Sequence, residues 1–543
     1  MAESSWNPEP EEESAAGGAE LAVGWFWPVV GLAAFLSLPY YFSIETFFSH
    51  DDFAILHFHK NWPVWEPWLF LRTDVLTFYR PLQSYLLGFL YQLFGMNAFP
   101  YNIVLIGIHI VNVVLLGRLV DRLFDDRPLT LLAVIFYAAD WEYCDVVFWK
   151  GNYGTALSWL FALGAANGFV DRLRGAGWRR YAVALLSTAA ALLSKETAVD
   201  VPLLLSLIYC ARPPDSSNVG DEAAGQTPAG ADRRRSRPPM DWVGRLREFA
   251  RVLWPFYGLV AAYGAFHHWA VRDVYNWLPK GYEVQGIRGA TGAVFHAMTF
   301  WLTPFLEAGA SSLSAGAGPS ALSLWLDRHP YLLPALLIVV VAALRNRRMA
   351  FGALWAVLAF FPANWIPDYH TPRYYYGAIM GIAIVFAEMF LAADHAIRVR
   401  RRFGEVAAAR VVGSLLILAF IYSNLIYTTT LVTNDARKSR EIEDLYHFLV
   451  LQREKVPPRT LFRVRCLNQQ DHFHQGFGLR EMFKLALDED SVEAILPDER
   501  LTDEVRGFLL TKYSKPVELL REPDGRFRLL IQVPTTATVT QEK

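Results

Sequence analysis

One stretch of the sequence decides the fold: residues 181–210, YAVALLSTAAALLSKETAVDVPLLLSLIYC. It is apolar throughout except for the Ser-Lys-Glu-Thr at 194–197, and arginine-rich sequence flanks it at 172–180 and 233–237. Membrane proteins keep Arg- and Lys-rich loops in the cytoplasm, so both flanks belong on the cytoplasmic side. The stretch must therefore leave the cytoplasm and return, which predicts a helical hairpin with its tip near the outer face of a membrane.

The two legs of this hairpin are short. Each has about 14 residues, fewer than the ~20 that a full span requires. Shortened helices around a polar tip are tolerated where they line a cavity. The alternative is one long helix that carries a buried Lys195, and it would reverse the sidedness of every later segment.

The composition agrees with a membrane protein. Hydrophobic residues make up 53% of the 543 residues, charged residues 19%, and the mean hydropathy is +0.20; soluble domains carry about 25% charge. The net charge of −2 does not indicate nucleic-acid binding, and three scattered cysteines indicate neither a disulfide nor a metal motif. Residues 431–543 contain 37 charged residues in 113, so a charge-poor body is joined to a charge-rich tail.

Apolar runs outside the hairpin predict a helical membrane domain over residues 21–430 with about eleven spans in all. The other predicted spans are 21–42, 102–120, 129–139, 153–170, 249–271, 332–344, 350–365, 376–393 and 411–430. The first run is predicted to be a retained helix, and residues 293–307 an interfacial one. The acidic residues 1–20 and the loop 211–242 are predicted to be disordered, the loop in the cytoplasm.

The tail, residues 431–543, is predicted to be a small soluble α+β domain outside the cytoplasm. RTLFRVRCL at 459–467 is typical of a strand, and LREMFKLALDED at 479–490 of a helix. Residues 516–533 predict a hairpin turned by Pro-Asp-Gly. The predicted fold class is therefore an all-α protein with many membrane spans, followed by a small α+β domain. We expect it in the inner or plasma membrane.

On this topology the outer loops collect charged side chains. A carboxylate there can accept the proton of an attacking hydroxyl or hold a divalent cation, and cations can stabilise a leaving phosphate. This combination predicts group transfer from a lipid phosphate to a hydroxyl acceptor. The candidate catalytic residues are Asp51, Asp52, Asp140, Glu142 and Asp145; the candidate phosphate contacts are Arg80, Lys150, Lys195 and Arg373; the supporting residues are Glu196, His370, Tyr374, Asn102 and His109.

Each of these features also has a structural interpretation. An Asp pair after a span can be a solvated helix end, and because successive side chains point to different sides, one of the two is expected to face the cleft. The tip at 194–197 could be a turn without chemistry, and Arg373 could anchor at lipid headgroups. Asn102 and His109 lie near one face of the second span, where polar groups more often bond neighbouring helices than react.

The order of five motifs resembles the membrane-embedded GT-C glycosyltransferases. The motifs are DD at 51–52, YRPL at 79–82, the Asn- and His-bearing helix from 102, SKE at 194–196 and PRYYY at 372–376. The similarity is greatest to the membrane part of the transmembrane and tetratricopeptide-repeat O-mannosyltransferases and their prokaryotic relatives, which are related to protein O-mannosyltransferases. It covers about residues 21–430. The tail shows no 34-residue repeat, so binding of a protein acceptor by such repeats is not carried over.

The resemblance implies an inverting hexosyltransferase that moves a mannose-like sugar from a polyprenyl-phosphate donor to a hydroxyl on protein, lipid or glycan, at the extracytoplasmic face. One residue of the pair Asp51 and Asp52 would be the base. Lys195 and Arg373 would be lipid-phosphate contacts, and Tyr374 or Tyr376 would belong to the same final-loop motif as Arg373.

One motif departs from the pattern. Relatives commonly carry His-Pro and a downstream acidic residue in the second outer loop, whereas this chain has Asp140 and Trp141 there. The second acidic role is left open among Asp140, Glu142 and Asp145.

Two other classes of function compete. In a transporter or flippase of lipid-linked sugars, intramembrane His and Asn side chains would form a pathway, but no inverted repeat is visible in the sequence. In a non-catalytic membrane scaffold, the tail would do the binding.

Overall fold

A computed structural model describes residues 27–49, 51–61, 64–66, 79–211, 242–271, 346–360, 372–400, 403–464, 476–495, 512–513, 515–521 and 526–531. Most of these residues are helical, and a small sheet lies near the C-terminus. Several predictions concern residues outside these ranges: the disordered segment 1–20, the interfacial helix 293–307, the span 332–344 and His370. Of the loop 211–242 that was predicted to be disordered, only the two end residues are described, and both are helical.

The elements follow in chain order. The helices are α1 Trp27–Leu36, α2 Asp52–Asn61, α3 Pro81–Phe94, α4 Ala98–Phe124, α5 Arg127–Ala138, α6 Cys144–Phe148, α7 Tyr153–Leu173, α8 Trp178–Ser194, α9 Val201–Ala211, α10 Trp242–Val271, α11 Arg347–Phe360, α12 Tyr376–Arg400, α13 Phe403–Gln452 and α14 Gly476–Leu487. The strands are β1 Thr460–Val464, β2 Glu493–Ile495, β3 Lys515–Arg521 and β4 Phe527–Ile531. Short 3₁₀ segments are Leu38–Glu45, Lys150–Asn152, Glu196–Asp200, Pro372–Tyr375 and Arg453–Lys455.

Within the described ranges, three helices are long and apolar enough to cross a membrane: Ala98–Phe124, Arg373–Val399 and Val406–Lys455. A fourth is added if α1 and the 3₁₀ segment Leu38–Glu45, which meet at 52°, are one broken span. The bend lies where a proline enters the 3₁₀ segment, because proline disfavours helix in the residue before it. The count of eleven spans stays a prediction.

The predicted hairpin is broken where its polar tip was expected. Helix α8 ends at Ser194, Lys195 has extended backbone angles, and α9 begins at Val201. The alternative of one continuous helix is therefore wrong. The legs have 17 and 11 residues, and Pro202 lies in the first turn of α9, where its missing N–H costs nothing.

The last predicted span is longer than expected. Helix α13 runs for 50 residues, past residue 430, to Gln452. Buried residues continue at helical spacing beyond the apolar part, at Val432, Ala436, Ile442 and Leu445. The first part of the charged tail is therefore a continuation of the helix, because its residues still have one apolar face to bury and no proline interrupts them.

The rest of the tail has the predicted strand, helix and hairpin. The sheet order is β2-β1-β3-β4, with β1 parallel to β2 and β3, and β4 antiparallel to β3. In register, Phe462 lies beside Val517, which pairs with Ile531. Phe483 of α14 packs on Phe462 with ring centroids 4.8 Å apart, so α14 covers one face of the sheet.

Ion pairs gather at the far end of α4. Asn102, near the start of this 27-residue helix, bonds the first loop, while Arg122, near its end, pairs with the buried Asp171 of α7. Arg118 and Arg180 lie 3.5 and 3.7 Å from the same carboxylate. A helix of this length spans ~40 Å, so these arginines and the first loop lie at opposite ends of the bundle.

Helices α11 and α12 approach closely at glycines. A Cβ on Gly352 would lie 2.6 Å from the carbonyl oxygen of Gly381, and this is a backbone atom that cannot rotate away. Small residues permit this kind of approach between membrane helices.

Gly352→Val is expected to lower the free energy of unfolding by about 1–3 kcal/mol, the usual cost of overpacking. The thermal midpoint in detergent measures this. Gly107→Val in α4 is the matched control, because a Cβ at Gly107 meets nothing within 4 Å. Equal midpoints for the two variants would contradict the close packing.

Candidate functional site

The described parts of the predicted outer loops lie together at one end of the bundle. Asn102 Nδ2 donates hydrogen bonds to the carbonyl oxygens of Ile44 (3.0 Å) and Thr46 (2.9 Å), which fastens the first loop to α4. The second loop joins through Lys150, whose Nζ lies 2.6 Å from the Thr46 carbonyl oxygen. The hairpin tip joins through Glu196, as described below.

Asp52 is the first residue of α2 and is 2% exposed. Its Oδ2 accepts a hydrogen bond of 2.9 Å from the Ser49 backbone N–H, and its Oδ1 has no partner. Burial raises the pKa of Asp52 to about 7, although the Lys150 ammonium and the Ser49 bond favour the ionised form. Asp52 is thus a buried, readily protonated carboxyl beneath the loop.

Asp51 has a more open environment than Asp52. It is only partly buried. Burial raises the pKa of its carboxyl, while Arg373 and Arg80 oppose that shift. Asp51 therefore faces the cations of the site and Asp52 faces Lys150, as expected when adjacent residues point to different sides.

Lys150 lies inside the protein, 2% exposed. Its Nζ donates hydrogen bonds to the carbonyl oxygens of Thr46 (2.6 Å) and Phe47 (2.8 Å). Burial lowers the pKa of Lys150 to about 8, with Asp52 opposing. The prediction made this lysine a phosphate contact, but the structure places it under the first loop, where it binds the backbone that leads to the Asp pair.

Arg80 and Glu196 form a bidentate ion pair. Arg80 Nε donates to Oε2 at 2.8 Å and Nη2 to Oε1 at 2.5 Å. Burial alone would raise the pKa of Glu196, but the Arg80 guanidinium lowers it to about 2. This pair fastens the hairpin tip to the start of α3, so Arg80 is already bound to a carboxylate.

Lys195 and Arg373 line one pocket, together with Thr155 and Tyr374. Lys195 Nζ lies 2.5 Å from Thr155 Oγ1 and 5.3 Å from the Tyr374 ring centroid. The Arg373 guanidinium lies 4.9 Å from the centroid of the Trp149 ring. Two cations from distant parts of the sequence therefore face the same small space.

The charge of Lys195 is sensitive to pH. Burial lowers its pKa to about 7; Arg80 and Arg373 act in the same direction, and Glu196 opposes them. An anion in the pocket would favour the protonated form.

The acidic residues of the second loop divide into two groups. Asp140 Oδ1 accepts the Glu142 backbone N–H at 2.8 Å. Glu142 is 1% exposed, neither of its carboxylate oxygens has a hydrogen-bond partner, and burial raises its pKa well above the usual range. Burial also raises the pKa of Asp145, but Arg373 opposes it. Asp145 is therefore the acid of this loop that lies near the cations.

Asn102 and His109 form hydrogen bonds that connect α4 to neighbouring segments. Asn102 bonds the first loop, as above. His109 Nδ1 lies 3.0 Å from the Tyr376 hydroxyl, which also accepts a hydrogen bond from Asn112 at 3.0 Å. These side chains of α4 hold the start of α12, directly after Arg373 and Tyr374.

Sequence reasoning missed several residues of the site. Thr155, Asp200 and Trp149 carry no motif that separates them from other residues of their kind, and only the folded chain brings them to Lys195 and Arg373. Sequence reasoning also missed an apolar groove of about 260 Å³ between α8 and α10. It is lined by Tyr79, Ala189, Leu192, Leu193, Leu259, Ala262, Tyr263 and Phe266.

A divalent cation was considered for this site. In the part of the chain that the structure describes, no group of three or more His, Cys, Asp or Glu side chains could hold a metal ion. The described acidic residues of the site therefore do not fit a metal ion as they stand.

Residues 80–214 match a family model described as dolichyl-phosphate-mannose-protein mannosyltransferase. The resemblance to GT-C membrane glycosyltransferases is confirmed over these residues. The matched range contains Arg80, the second loop and the Ser-Lys-Glu tip, and it excludes the Asp pair and Arg373. No curated protein matches the chain.

Solved structures with a similar course of the chain include two that contain a polyprenyl phosphate. The archaeal oligosaccharyltransferase AglB from Archaeoglobus fulgidus, in complex with an inhibitory peptide and a dolichol-phosphate, is 13% identical, with a TM-score of 0.49; the match covers 94% of this chain and 75% of AglB. ArnT from Cupriavidus metallidurans, bound to undecaprenyl phosphate, is 13% identical, with a TM-score of 0.42 and coverage of 93% and 94%. Likeness at this level carries no argument about function.

Lys150→Met is expected to lower the free energy of unfolding by about 1–3 kcal/mol, because two buried carbonyl groups lose their donor. Thermal unfolding in detergent measures the change. Lys455→Met, at an exposed lysine, is the control. A Lys150→Met protein as stable as the control would show that these hydrogen bonds do not hold the first loop.

The raised pKa of Asp52 predicts a pH dependence of stability. The native carboxyl keeps its proton up to about pH 7, whereas the unfolded chain releases it near its ordinary value of 3.8. The native state therefore binds more protons between these values, and this group makes stability fall as pH rises from ~4 to ~7. Asp52→Asn should remove that slope. Parallel curves of unfolding free energy against pH for wild type and variant would contradict the assignment.

Proposed function

We propose that this chain is an integral membrane glycosyltransferase that moves a sugar from a polyprenyl-phosphate donor to a hydroxyl acceptor. One observation carries the proposal: Lys195 and Arg373 line the same pocket, and the partly exposed Asp51 lies within electrostatic reach of Arg373. Two cations beside a carboxylate suit a phosphate leaving group beside a general base.

The donor would bind with its phosphate at Lys195 and Arg373 and its hydrocarbon chain in the apolar groove. The groove includes Leu192 and Leu193, which directly precede the Ser-Lys-Glu tip, and Tyr79, which precedes Arg80. Residues of the groove are thus close in sequence to both Arg80 and Lys195. An apolar groove and a cationic pocket match the two halves of a polyprenyl phosphate.

Asp51 would act as the base. It takes the proton of the acceptor hydroxyl while the oxygen attacks the anomeric carbon of the sugar. The bond from that carbon to the phosphate oxygen breaks, and the electron pair leaves with the lipid phosphate, whose growing charge Lys195 and Arg373 stabilise. A single displacement of this kind inverts the anomeric centre.

Asp52 and Asp145 would have supporting roles. Asp52 is buried behind the first loop, so it would hold that loop in place. Asp145 lies near Arg373, so it would orient the Arg373 guanidinium.

The site would face the extracytoplasmic side, with the predicted soluble domain 431–543 on the same side. A mannose-like hexose is the sugar that we favour, because the matched family model describes mannosyl transfer; the acceptor hydroxyl would be on protein, lipid or glycan.

Proteoliposomes with radiolabelled polyprenyl-phosphate mannose and a hydroxyl acceptor test the proposal. Asp51→Asn should lower transfer by at least ~10²-fold, since a positioned base contributes about that much, and Asp52→Asn should lower it less. Asp444→Asn, at an exposed acid of α13, is the matched control. Full activity in both variants and in the double variant would overturn the assignment, and movement of labelled lipid across the bilayer without transfer would indicate a flippase.

Lys195 gives the transferase a pH dependence that can be separated from that of the base. Its pKa is lowered to about 7, so free enzyme above this pH carries a neutral amine that binds phosphate less well. The kcat/KM for the donor reports groups of the free enzyme, and it should fall above pH ~7. Lys195→Arg keeps its charge and should move that fall to higher pH. An unchanged alkaline limb in this variant would remove Lys195 from donor binding.

A further inference from the structure

Helix α2 connects the candidate base to the C-terminal domain. It is ten residues long and runs from Asp52 to Asn61. His57 and Lys60, on its second half, contact the turn region after α14 and α14 itself. At ~1.5 Å per residue the whole helix is ~15 Å long, so the position of this second half also fixes where the Asp pair lies.

His57 is held between two carboxylates. Its Nδ1 lies 2.6 Å from Glu481 Oε2 and its Nε2 lies 2.8 Å from Asp490 Oδ1. A neutral imidazole has only one N–H to donate, so both contacts are hydrogen bonds only in the imidazolium form. The His57 and Glu481 side chains are only 13% and 10% exposed, so water screens this pair weakly.

A second cation of α2 contacts the same domain. Lys60 Nζ lies 2.5 Å from Asp488 Oδ1, and Asp488 also pairs with Arg453 at the end of α13. Two positive side chains of one short helix thus meet three carboxylates of the C-terminal domain.

We propose that His57 is a positioning residue, and that its clamp between Glu481 and Asp490 fixes α2 on the C-terminal domain and thereby places Asp51 at the cleft. The proposal rests on the function proposed above, because it assigns the tail domain a role in that same reaction. The tail would then support catalysis through α2 without touching the donor.

The clamp depends on the charge of His57. Burial alone would lower the pKa of His57, but its bonds to Glu481 and Asp490 outweigh this and raise it. The clamp is therefore complete while His57 is protonated and loses one N–H donor as the pH rises. The other charged or titratable groups around it are Lys60 on α2, Tyr91 on α3, Tyr446 and Arg453 at the end of α13, and Lys484 and Asp488 of the C-terminal domain.

Steady-state kinetics of the full-length protein test the proposal. His57→Ala should lower kcat by between ~10-fold and ~100-fold, because a small displacement of a reacting group has effects of this size. The KM for the donor should stay within about twofold, because the contacts that bind the donor before the reaction are unchanged. Glu481→Gln should act in the same direction, and the double variant should lose little more than His57→Ala, as contacting residues do. His395→Ala, at an exposed histidine of α12, is the matched control.

Two further measurements separate positioning from general stability. With saturating donor, wild-type kcat should fall as the pH rises and His57 loses its proton. His57→Arg stays charged, so it should keep a higher kcat than His57→Ala and should not show that fall. Hydrogen exchange of the α2 amides should be faster in His57→Ala than in wild type, and this readout does not require transfer.

The outcomes distinguish the two proposals. If wild-type protein transfers no sugar, the proposed function fails, while exchange at α2 still decides whether the clamp exists. If wild type is active and His57→Ala keeps its kcat, its pH profile and the protection of α2, the clamp proposal is overturned.

Discussion

The arrangement of the site depends on the ion pair between Arg80 and Glu196. The carboxylate of Glu196, at the tip of the hairpin, would neutralise the neighbouring Lys195 if Arg80 did not already bind it. Its two oxygens accept two hydrogen bonds from Arg80, so Lys195 donates to the Thr155 hydroxyl and, among the described residues, has no carboxylate within ion-pair distance. The pair holds the hairpin to α3 and keeps positive charge in the pocket, at the end of the bundle opposite the Asp171 cluster.

The sequence predicted which residues gather, but not what each one contacts. Alternation of apolar runs with basic flanks was enough to place the Asp pair, the Ser-Lys-Glu tip and Arg373 on one side, and the described residues of these loops do lie together. The same pattern could not distinguish the role of Lys150 from that of Lys195. Both are lone cations in outer loops, and only the folded chain shows that one bonds the carbonyl groups of Thr46 and Phe47 while the other lines a pocket.

The boundaries were harder to predict for a physical reason. A hydropathy pattern shows where a helix leaves an apolar environment, not where it stops, and α13 continues past residue 430 because its charged part keeps one apolar face. The break at Lys195 was predictable because a polar tetrapeptide interrupts an apolar run. The places of Thr155 and Trp149 in the site were not predictable, because contacts between helices depend on how each helix is rotated about its own axis.

The asymmetry of the Asp pair argues for a division of labour between neighbouring residues. Ionising a carboxyl that is buried without a full set of donors is costly, and Asp52 has one unpartnered oxygen, so it suits a proton-holding support better than a base that must meet an acceptor. Asp51 is more open, and the nearby arginines favour its ionised form. Because the two residues are adjacent, the force that orients one also orients the other. Any contact that fixes α2 therefore acts on the base. The imidazolium of His57, on the C-terminal half of this short helix, makes such a contact with a domain whose described residues do not line the pocket.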